Sequence, residues 1–558
     1  MKNWFRSGTP WIWLTGGAVA LCLVMVIGVV GLIAVRGLSH FWPAPVIAVE
    51  IENLQTGEMR RVLGPISRTE TVPAQVAADA GNYIPEDRLD TLVTRYLFRV
   101  GNRDQFGADF VWHTDLGMRE FEYPAQVLEL ERREWGNFYG YPEALLVDGE
   151  EVLTADHPDF LPGLKDLVER SLVLHDDIRQ IERGEVGEIN RQMEQLRREL
   201  RRLDLNDVTG MARTEEEARV AAERARLDAE YDELRADLDE LYASTRRDTL
   251  RMRMSDDRTV SIPLAQVVRV TQPNNMSVPA KMVEYMDRFW TFVTDEPREA
   301  NTEGGIFPAL FGTVTMVIVM SIMVTPFGVL AAIYLREYAR QGPITRAVRI
   351  SVYNLAGVPS IVFGVFGLGF FVYFLGGNID QLFFPEALPR PTFGSPGLFW
   401  ASLTLALLTL PVVIVSTEEG LARIPSTIRQ GSLALGATKS ETLWKVVVPL
   451  STPAMMTGLI LAIARAAGEV APLMLVGVVK LAPSLPIDGN FPYIHLERQF
   501  MHLGFHIYDV GFQSPNVEAA RPLVYATALV LILLIIVLNL TAISIRNHLR
   551  EKYRSETD

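Results

Sequence analysis

Cysteine is nearly absent from this 558-residue chain, whose single cysteine, Cys22, lies in an apolar run near the N-terminus. A disulfide within the chain is therefore excluded, and cysteine usage says little about the redox compartment. The chain also lacks a GxxxxGK(S/T) phosphate loop. If its function needs ATP, the nucleotide site with its ATP and Mg²⁺ must lie on another chain, so we expect no cofactor and no enzyme activity here.

Basic residues are scarce in one part of the chain. The net charge is −14 overall, but residues 36–303 contain 34 Lys+Arg and 53 Asp+Glu and carry −19, which leaves the remainder at +5. The acidic surplus thus belongs to one soluble segment. It argues against nucleic acid as a partner, because nucleic-acid binding favours a basic face.

Long apolar runs are plentiful, and six of them reach the ~20 residues that a helix needs to cross a membrane. We expect spans near Trp11–Val35, Leu310–Leu335, Ser351–Leu375, Leu398–Thr417, Met455–Val479 and Leu523–Ile545. The first is too long for a signal-peptide core and has no clear cleavage site, so it is interpreted as a retained anchor. Aromatic and methionine residues near the span ends indicate contact with membrane lipid.

Positive charges predict the orientation of these spans. Lysines and arginines lie before the first span, between the second and third, in the loop 418–449 and after the last span: Lys2, Arg6, Arg336, Arg340, Arg346, Arg349, Arg423, Arg429, Lys439, Lys445, Arg546, Arg550, Lys552 and Arg554. Short loops rich in such residues stay cytoplasmic. We expect a multi-pass membrane protein with both termini and the loop 418–449 inside, and residues 36–305 outside.

The external insertion, residues 36–305, is interpreted as an α+β domain. Alternating residues from Val46 around a Thr-Gly turn predict a β-hairpin, and further strands are expected at Asp109–Thr114, Ala125–Arg132, Glu151–Thr154, Thr249–Met254 and Thr259–Val270. Between them, about residues 165–247, two heptad stripes predict an antiparallel helical hairpin packed on itself: Ile189, Met193, Leu196, Leu200 and Leu203, then Leu227, Tyr231, Leu234, Leu238 and Leu241. Thr214 and Glu217 are expected to form a capping box that opens the second helix.

The loop 418–449, here called the coupling loop, is polar and lies between two apolar runs. It predicts a short helix that begins at Pro425, a break at Gly436, and a second short helix that ends at Pro449. A short amphipathic helix of this kind suits docking into a groove on a soluble partner.

Two charged residues inside an apolar run are the strongest candidates for a transport site. Arg465 and Glu469 are four residues apart, so we expect them on one helix face. Charges at bilayer depth usually face a bundle interior or a water-filled path. The functional interpretation places Arg465 in an anion path, since a guanidinium can hold two oxygens of an oxyanion at once, and the structural alternative is an ion pair that fixes helix packing.

Two further groups carry weaker indications. Pro359 breaks the third span near Ser360. This break would expose backbone to the anion path, although small residues there also permit close helix packing.

His502 and His506 are four residues apart and near His495. This is a possible metal spacing, but no further ligand pattern completes it, so we expect an external amphipathic segment and no metal.

Three segments resemble the permease subunits of phosphate ABC importers of the PstA type. Gln430-Gly431-Ser432, Gly436 and the run Val446–Pro449 occupy the positions of the EAA loop, although the three EAA residues themselves differ. LAIARAAGEVAPLM (461–474) and GVPSIVFG (357–364) resemble two further signatures. The resemblance covers roughly Ile306–Arg546.

The resemblance implies an α-helical polytopic type I ABC importer permease with six transmembrane helices. In the bacterial inner membrane, an N-terminal cytoplasmic tip and the first helix would occupy residues 1–35, the permease core 306–546 and a cytoplasmic tail 547–558. It implies a second permease subunit, a cytoplasmic ATPase dimer and a periplasmic phosphate-binding protein as partners, with Gln430, Gly431, Ser432, Gly436 and Lys439 coupling to the ATPase. Alternatives are a permease for sulfate or molybdate, or an envelope scaffold or sensor that acts through the insertion.

Overall fold

The chain forms two compact units in the computed structural model, which describes residues 7–81, 83–514 and 517–554. The membrane unit comprises Met1–His40, Ile306–Val517 and Arg521–Asp558, and the insert unit comprises Phe41–Gly305 and Glu518–Ala520. Lys2 and Arg6, and the last residues of the expected tail, lie outside the described residues.

Helix α1 (Thr9–Ser39) opens the membrane unit. Its side chains are almost all exposed, and its apolar composition and length suffice to cross a membrane. A helix that is apolar on every side suits hydrocarbon, because its backbone groups are satisfied within the helix while its side chains face lipid.

Antiparallel strands build most of the insert unit. The strands are β1 (Ile47–Glu52), β2 (Met59–Gly64), β3 (Ile66–Pro73), β4 (Leu92–Arg99), β5 (Phe110–Thr114), β6 (Leu128–Arg132), β7 (Phe138–Val147), β8 (Glu150–Thr154), β9 (Asp248–Arg253), β10 (Thr259–Pro263), β11 (Val267–Thr271), β12 (Pro297–Arg298) and β13 (Glu303–Gly304). Short helices α2 (Ala74–Asp79) and α3 (Arg103–Phe106) connect some of them. The largest sheet has the order β10-β9-β7-β6-β11 with β8 on β7, and β3-β4-β5 form a second sheet.

The expected strands are confirmed with small shifts in their ends. The β1–β2 pair is the hairpin expected from Val46. One difference is that Thr259–Val270 forms two strands rather than one, with a turn of 3₁₀-helix at Leu264–Gln266 directly after Pro263. Proline cannot donate to a sheet ladder, which favours a strand end at that point.

The helical hairpin is confirmed and starts earlier than expected. It consists of α4 (Phe160–Gln180), a π-helical turn (Ile181–Glu185), α5 (Val186–Leu205) and α6 (Met211–Thr245). The arms bury Ile189, Leu196, Val220, Leu227 and Leu234 against one another. Leu200 and Tyr231 remain exposed, so only part of each heptad stripe forms the seam.

The capping box expected at Thr214 is wrong. Helix α6 already begins at Met211, and the Thr214 hydroxyl donates to the Gly210 carbonyl within the first turn. Glu217 instead pairs with Arg213 at 2.7 Å. The helix can start three residues earlier because Gly210 adopts a positive φ of 75°, which glycine tolerates without strain. Helix α7 (Val278–Thr294) completes the insert unit.

Eleven further helices belong to the membrane unit over the described residues. They are α8 (Phe307–Ile333), α9 (Pro343–Leu355), α10 (Ser360–Phe366), α11 (Gly377–Phe383), α12 (Leu398–Arg423), α13 (Ser426–Ala434), α14 (Lys439–Thr442), α15 (Val448–Gly468), α16 (Leu473–Val476), α17 (Leu503–Tyr508) and α18 (Val517–Arg554). With α1 they provide six helical stretches long and apolar enough to span a membrane: Trp11–Ser39, Phe307–Tyr338, Ser360–Phe383, Leu398–Arg423, Lys439–Gly468 and Ala520–Glu551.

Helix α12 is central to the membrane unit, since it packs against both α8 and α15. Gly328 of α8 lies against Val413, and Gly458 of α15 lies against Ser416. Small residues at these positions let the helix backbones approach closely, which is a common basis of helix association in lipid. Met316, Leu405 and Ala466 belong to the resulting core.

All six spans differ from their expected bounds, and the third and the fifth differ most. The third begins at Ser360 rather than Ser351, because Ser351 lies in the separate helix α9. Pro359 starts the new helix and disfavours helical backbone at the residue before it. The fifth covers Lys439–Gly468 rather than Met455–Val479. Pro449 does not end the second loop helix; it lies in the first turn of α15 after a π-helical turn (Leu443–Val447).

Candidate functional site

Arg465 and Glu469 lie together, but not on one helix as expected. Arg465 is in the last turn of α15, whereas Glu469 follows the last helical residue and has extended backbone with a ψ of 132°. Its side chain nevertheless returns to the arginine, with 3.4 Å between Nε of Arg465 and Oε1 of Glu469. Their side chains are 34% and 21% exposed in the single chain. The guanidinium therefore keeps donors that the carboxylate does not occupy.

The segment after Glu469 packs against α10, which carries the GVPSIVFG signature. A Cβ atom on Gly364 would lie 2.7 Å from Cα of Pro472, and one on Gly367 would lie 2.9 Å from Cγ1 of Val476. Glycine is required at Gly364 because Pro472 backbone occupies the space of a side chain. The two signature segments, about 100 residues apart in sequence, therefore form one packed structure.

Ser360 is half-buried at the first position of α10, four residues before Gly364. It is connected to the Arg465 segment through the packing of α10 on Pro472. The structure has the expected break before α10. The Gly357 N–H donates to the carbonyl of Asn354 in a turn, and Pro359 directly precedes the helix.

The coupling loop has the expected break. Helix α13 follows Pro425, and Gly436 has a φ of 89°, in the left-handed region where glycine is strongly preferred. A genuine capping box then opens α14: Thr438 accepts from the Glu441 N–H, and Glu441 accepts from the Thr438 N–H. The chain can therefore reverse tightly between the two short helices.

The residues expected to couple to an ATPase divide into exposed and internal groups. Gln430, Gly431 and Lys439 are exposed. Ser432 is half-buried, and its hydroxyl lies 2.9 Å from the hydroxyl of Thr442, joining the two short helices. Lys439 donates to the carbonyl of Glu337 at 2.6 Å and lies over the ring of Tyr338, so the exposed turn is attached to the π-helical turn Tyr334–Tyr338 that continues α8.

Sequence reasoning assigned no site role to the ion pairs behind this loop. Arg429 donates to the carbonyls of Leu421 and Ile424 and to Glu337, the last at 3.0 Å. Arg349 of α9 pairs with Glu418 of α12 at 2.6 Å. In the sequence, these pairs are indicated only by opposite charges near the expected span ends. Such charges do not identify which residues pair with one another.

These pairs line a cavity of about 630 Å³, together with Arg336, Gln341, Tyr353 and Glu419. Within the described part of the chain, Nε of Arg349, Nε of Arg429 and Oε2 of Glu418 are buried without a hydrogen-bond partner. A polar network of this kind is costly unless its remaining donors and acceptors are satisfied. It connects the coupling loop to α8, α9 and α12, which are three elements of the membrane core.

All three histidines of the expected external segment have buried side chains. His502 and His506 are buried, and Nδ1 of His502 accepts the Gly504 N–H to cap α17. His495 pairs with Asp488 at 3.1 Å. Among residues 7–81, 83–514 and 517–554, no cluster of three or more His, Cys, Asp or Glu side chains is arranged to hold a metal ion.

The family described as "Binding-protein-dependent transport system inner membrane component" matches residues 324–555. The phosphate transport system permease protein PstA of Mycobacterium leprae (strain TN) is 36% identical over 37% of this chain and 63% of its own length. PstA 1 of Mycobacterium tuberculosis (strain CDC 1551 / Oshkosh) is 34% identical over 44% and 71%, and PstA of Yersinia pestis is 30% identical over 45% and 75%.

A solved structure of the inward-facing MetNI methionine ABC transporter (CY5 native crystal form) is also similar. It shows 18% identity and a TM-score of 0.33, and the match covers 49% of this chain and 99% of that chain. The family assignment rests on the sequence relatives alone, because at that TM-score the structural similarity carries no weight. With the family match and the relatives above 30% identity taken together, this chain belongs to the PstA-type permeases of the binding-protein-dependent transport systems.

Proposed function

We propose that this chain is a transmembrane permease subunit of an ATP-driven phosphate importer. The observation that carries the proposal is the packing of the two signature segments, Gly364 on Pro472, directly beside the Arg465–Glu469 pair. The relatives named as phosphate permeases support phosphate over sulfate or molybdate. Membership in a permease family favours transport over an envelope scaffold or sensor.

In this proposal Arg465 contacts the anion in the translocation path. Guanidinium is always charged and presents paired donors that match two phosphate oxygens. Glu469 occupies part of that donor set at 3.4 Å. Its negative charge weakens the hold on phosphate, which allows release, because a site that binds its substrate too tightly does not turn over. Ser360, at the exposed start of α10, lines the path.

The coupling loop transmits the movement of a partner ATPase dimer that carries the ATP and Mg²⁺. Exposed Gln430, Gly431 and Lys439 contact the ATPase, while Ser432 and Gly436 hold the shape of the turn. The pairs Arg429–Glu337 and Arg349–Glu418 pass the movement to α8, α9 and α12. A second permease subunit completes the pathway, and a periplasmic phosphate-binding protein delivers the substrate.

The distribution of positive charge supports an orientation with the coupling loop and both termini in the cytoplasm and the insert unit in the periplasm. Arg336, Arg349 and Arg429 meet at one cavity. Short segments rich in arginine and lysine remain on the cytoplasmic side during insertion.

The test is phosphate uptake in vesicles that contain the complete transporter. Arg465→Lys keeps the charge but loses the planar fork, so we expect strongly reduced uptake with normal assembly. Arg119→Lys is the matched control, because Arg119 lies in the insert unit, outside the coupling loop, and its side chain is 63% exposed. Competition by sulfate and molybdate in the unmodified transporter tests the choice of anion.

Two outcomes decide the role of Arg465. Normal phosphate uptake by Arg465→Ala removes this residue from the path. Recovery of uptake in an Arg465→Ala variant when Glu469→Ala is added shows instead that the pair fixes helix packing, because the lone buried carboxylate was the defect.

A further inference from the structure

Helix α7 of the insert unit presents an apolar face to the outside. The exposed fractions are 53% for Met282, 72% for Val283, 59% for Met286 and 67% for Trp290, and Val278 is exposed as well. At 100° per residue, these positions fall within one face of about 140°. No charged residue of the helix lies within that face.

Three of the four charged residues of α7, Glu284, Asp287 and Arg288, pair with residues of the sheet. Arg288 pairs with Glu129 at 3.0 Å and with Glu284 at 2.9 Å, and all three side chains are less than a fifth exposed. Asp287, at the edge of the apolar face, pairs with Arg269 at 2.7 Å. The helix is thus amphipathic in the reverse sense, with its ions inside and its apolar side chains outside. Water does not favour this arrangement, whereas an apolar environment does.

A third side of α7 holds the residues that directly follow the first spanning helix. The rings of Phe289 and Phe292 lie 5.4 and 5.2 Å from the ring of Phe41, and Tyr285 lies 6.1 Å from Trp42. Phe41 is two residues beyond Ser39, the end of α1. Chain geometry alone keeps its Cα within ~8 Å of that end, where a spanning helix leaves the hydrocarbon.

We infer that α7 is an interfacial helix whose face Met282–Val283–Met286–Trp290 inserts into the outer leaflet of the membrane. Interfacial helices lie in the plane of the bilayer with their apolar face ~5–10 Å deep in the boundary between headgroups and acyl chains. Tryptophan and tyrosine are enriched at that level, where Trp42, Tyr285 and Trp290 would lie. The insert unit would then be attached to lipid through this helix as well as through its chain connections.

A protein partner is the competing occupant, because exposed apolar patches also mark protein contacts. Lipid is favoured by two observations. The face carries no charged residue that could fix a specific partner, and its depth is set by the attachment of α7 to Phe41.

The experiment measures the depth of single spin labels on the full-length chain in vesicles of phosphatidylethanolamine and phosphatidylglycerol. The only native cysteine is removed by Cys22→Ser, and labels are introduced by Met286→Cys and Trp290→Cys. Met211→Cys is the matched control, since it also replaces a methionine and is 89% exposed at the tip of the helical hairpin. Collisions with dissolved oxygen report lipid, and collisions with a water-soluble nickel chelate report water.

We expect the labels at 286 and 290 to collide mainly with oxygen at a depth of ~5–10 Å, and the label at 211 to collide mainly with the nickel chelate. Labels at 286 and 290 that collide with nickel as freely as the label at 211 would overturn the inference. Labels at 286 and 290 shielded from both reagents would also overturn it, because they would show a protein partner on this face. Each labelled site replaces an exposed side chain, so the fold of the insert unit is not at risk.

Discussion

Gly364 and Pro472 are in direct backbone contact: a side chain on Gly364 would begin 2.7 Å from the Cα atom of Pro472 and 3.0 Å from its carbonyl oxygen. Both neighbours are main-chain atoms, so they cannot move aside as a flexible side chain would. Because Pro472 lies three residues beyond Glu469, this contact also sets the position of the Arg465–Glu469 pair relative to α10.

Gly364→Ala should therefore damage the site without touching any charged residue. Overpacking of this kind typically costs ~1–3 kcal/mol, and we expect a lower thermal stability of the purified protein together with reduced phosphate uptake. Gly369→Ala is the matched control, since a Cβ there meets nothing within 4 Å. Equal behaviour of the two variants would show that the close contact has no functional consequence.

Substitution at Gly436 tests the turn of the coupling loop. Gly436→Val forces a β-branched residue into the left-handed region, which costs at least ~1–2 kcal/mol and should open the turn between α13 and α14. We expect loss of phosphate uptake and weaker retention of the ATPase during purification, with normal insertion into the membrane. Gly436→Asn should keep most of the activity, because asparagine also tolerates this conformation. If the Val and Asn variants transport equally well, the turn geometry is not needed for coupling.

The stability of the insert unit should fall in mild acid. Burial, and the nearby positive charge of Arg60, lower the pKa of His113 from 6.5 to about 4. Burial, with Arg133 and Arg179 nearby, likewise lowers the pKa of His175 to about 4. The folded state thus favours neutral histidine, so this stabilisation is fully present above pH 6.5 and is lost as pH falls from 6.5 toward 4.

Hydrogen exchange of the β3–β4–β5 sheet between pH 6.5 and 5 measures this effect, after correction for intrinsic exchange rates. His113→Gln should reduce the pH dependence of the opening free energy by up to about 1.4 kcal/mol per pH unit, the value for one proton. His157→Gln is the control, because His157 is exposed next to Asp159. An unchanged slope in His113→Gln would mean that His113 titrates normally in the folded state.

Deletion of the helical hairpin tests whether it helps the binding protein to deliver phosphate. Its arms are joined by a buried seam around Leu227 and by surface pairs such as Arg219–Glu199. Helix α6 has 35 residues and extends roughly 50 Å at 1.5 Å per residue, and the acidic charge around the hairpin disfavours direct capture of an anion. If it guides the binding protein, deletion of residues 188–241 with a short Gly/Ser linker should reduce uptake most at low binding-protein concentration. Unchanged uptake at every concentration would exclude the hairpin from delivery.

Local patterns in the sequence predicted much of this protein. Six apolar stretches, the β1–β2 hairpin, the helical hairpin and the break at Gly436 are all present. Each depends on residues close together in the chain: ~20 apolar residues for a span, a heptad for a seam, a glycine for a positive φ. Local features were also misleading at two positions. At Thr214 the helix starts earlier, after Gly210, and at Pro449 a π-helical turn carries the helix past its expected end.

Contacts between distant segments were decided by the tertiary structure. Nothing in the sequence places Gly364 on Pro472, Arg349 on Glu418, or Arg429 on the carbonyl groups at the end of α12. Glu469 has the spacing of a helical neighbour of Arg465, yet the helix ends at Gly468 and the contact forms through extended backbone. Spacing predicts a shared face only where the helix continues.

Helix α7 illustrates the same division. No helix is predicted from the sequence at Val278–Thr294, which supplies a mixture of charged and apolar residues, and the usual expectation is that the ions face water. The tertiary structure turned them inward, because Glu129 and Arg269 of the sheet offer partners for Arg288 and Asp287. Pairing with strands far away in sequence satisfies those charges, and the apolar side chains are left outside, where only an apolar environment can cover them.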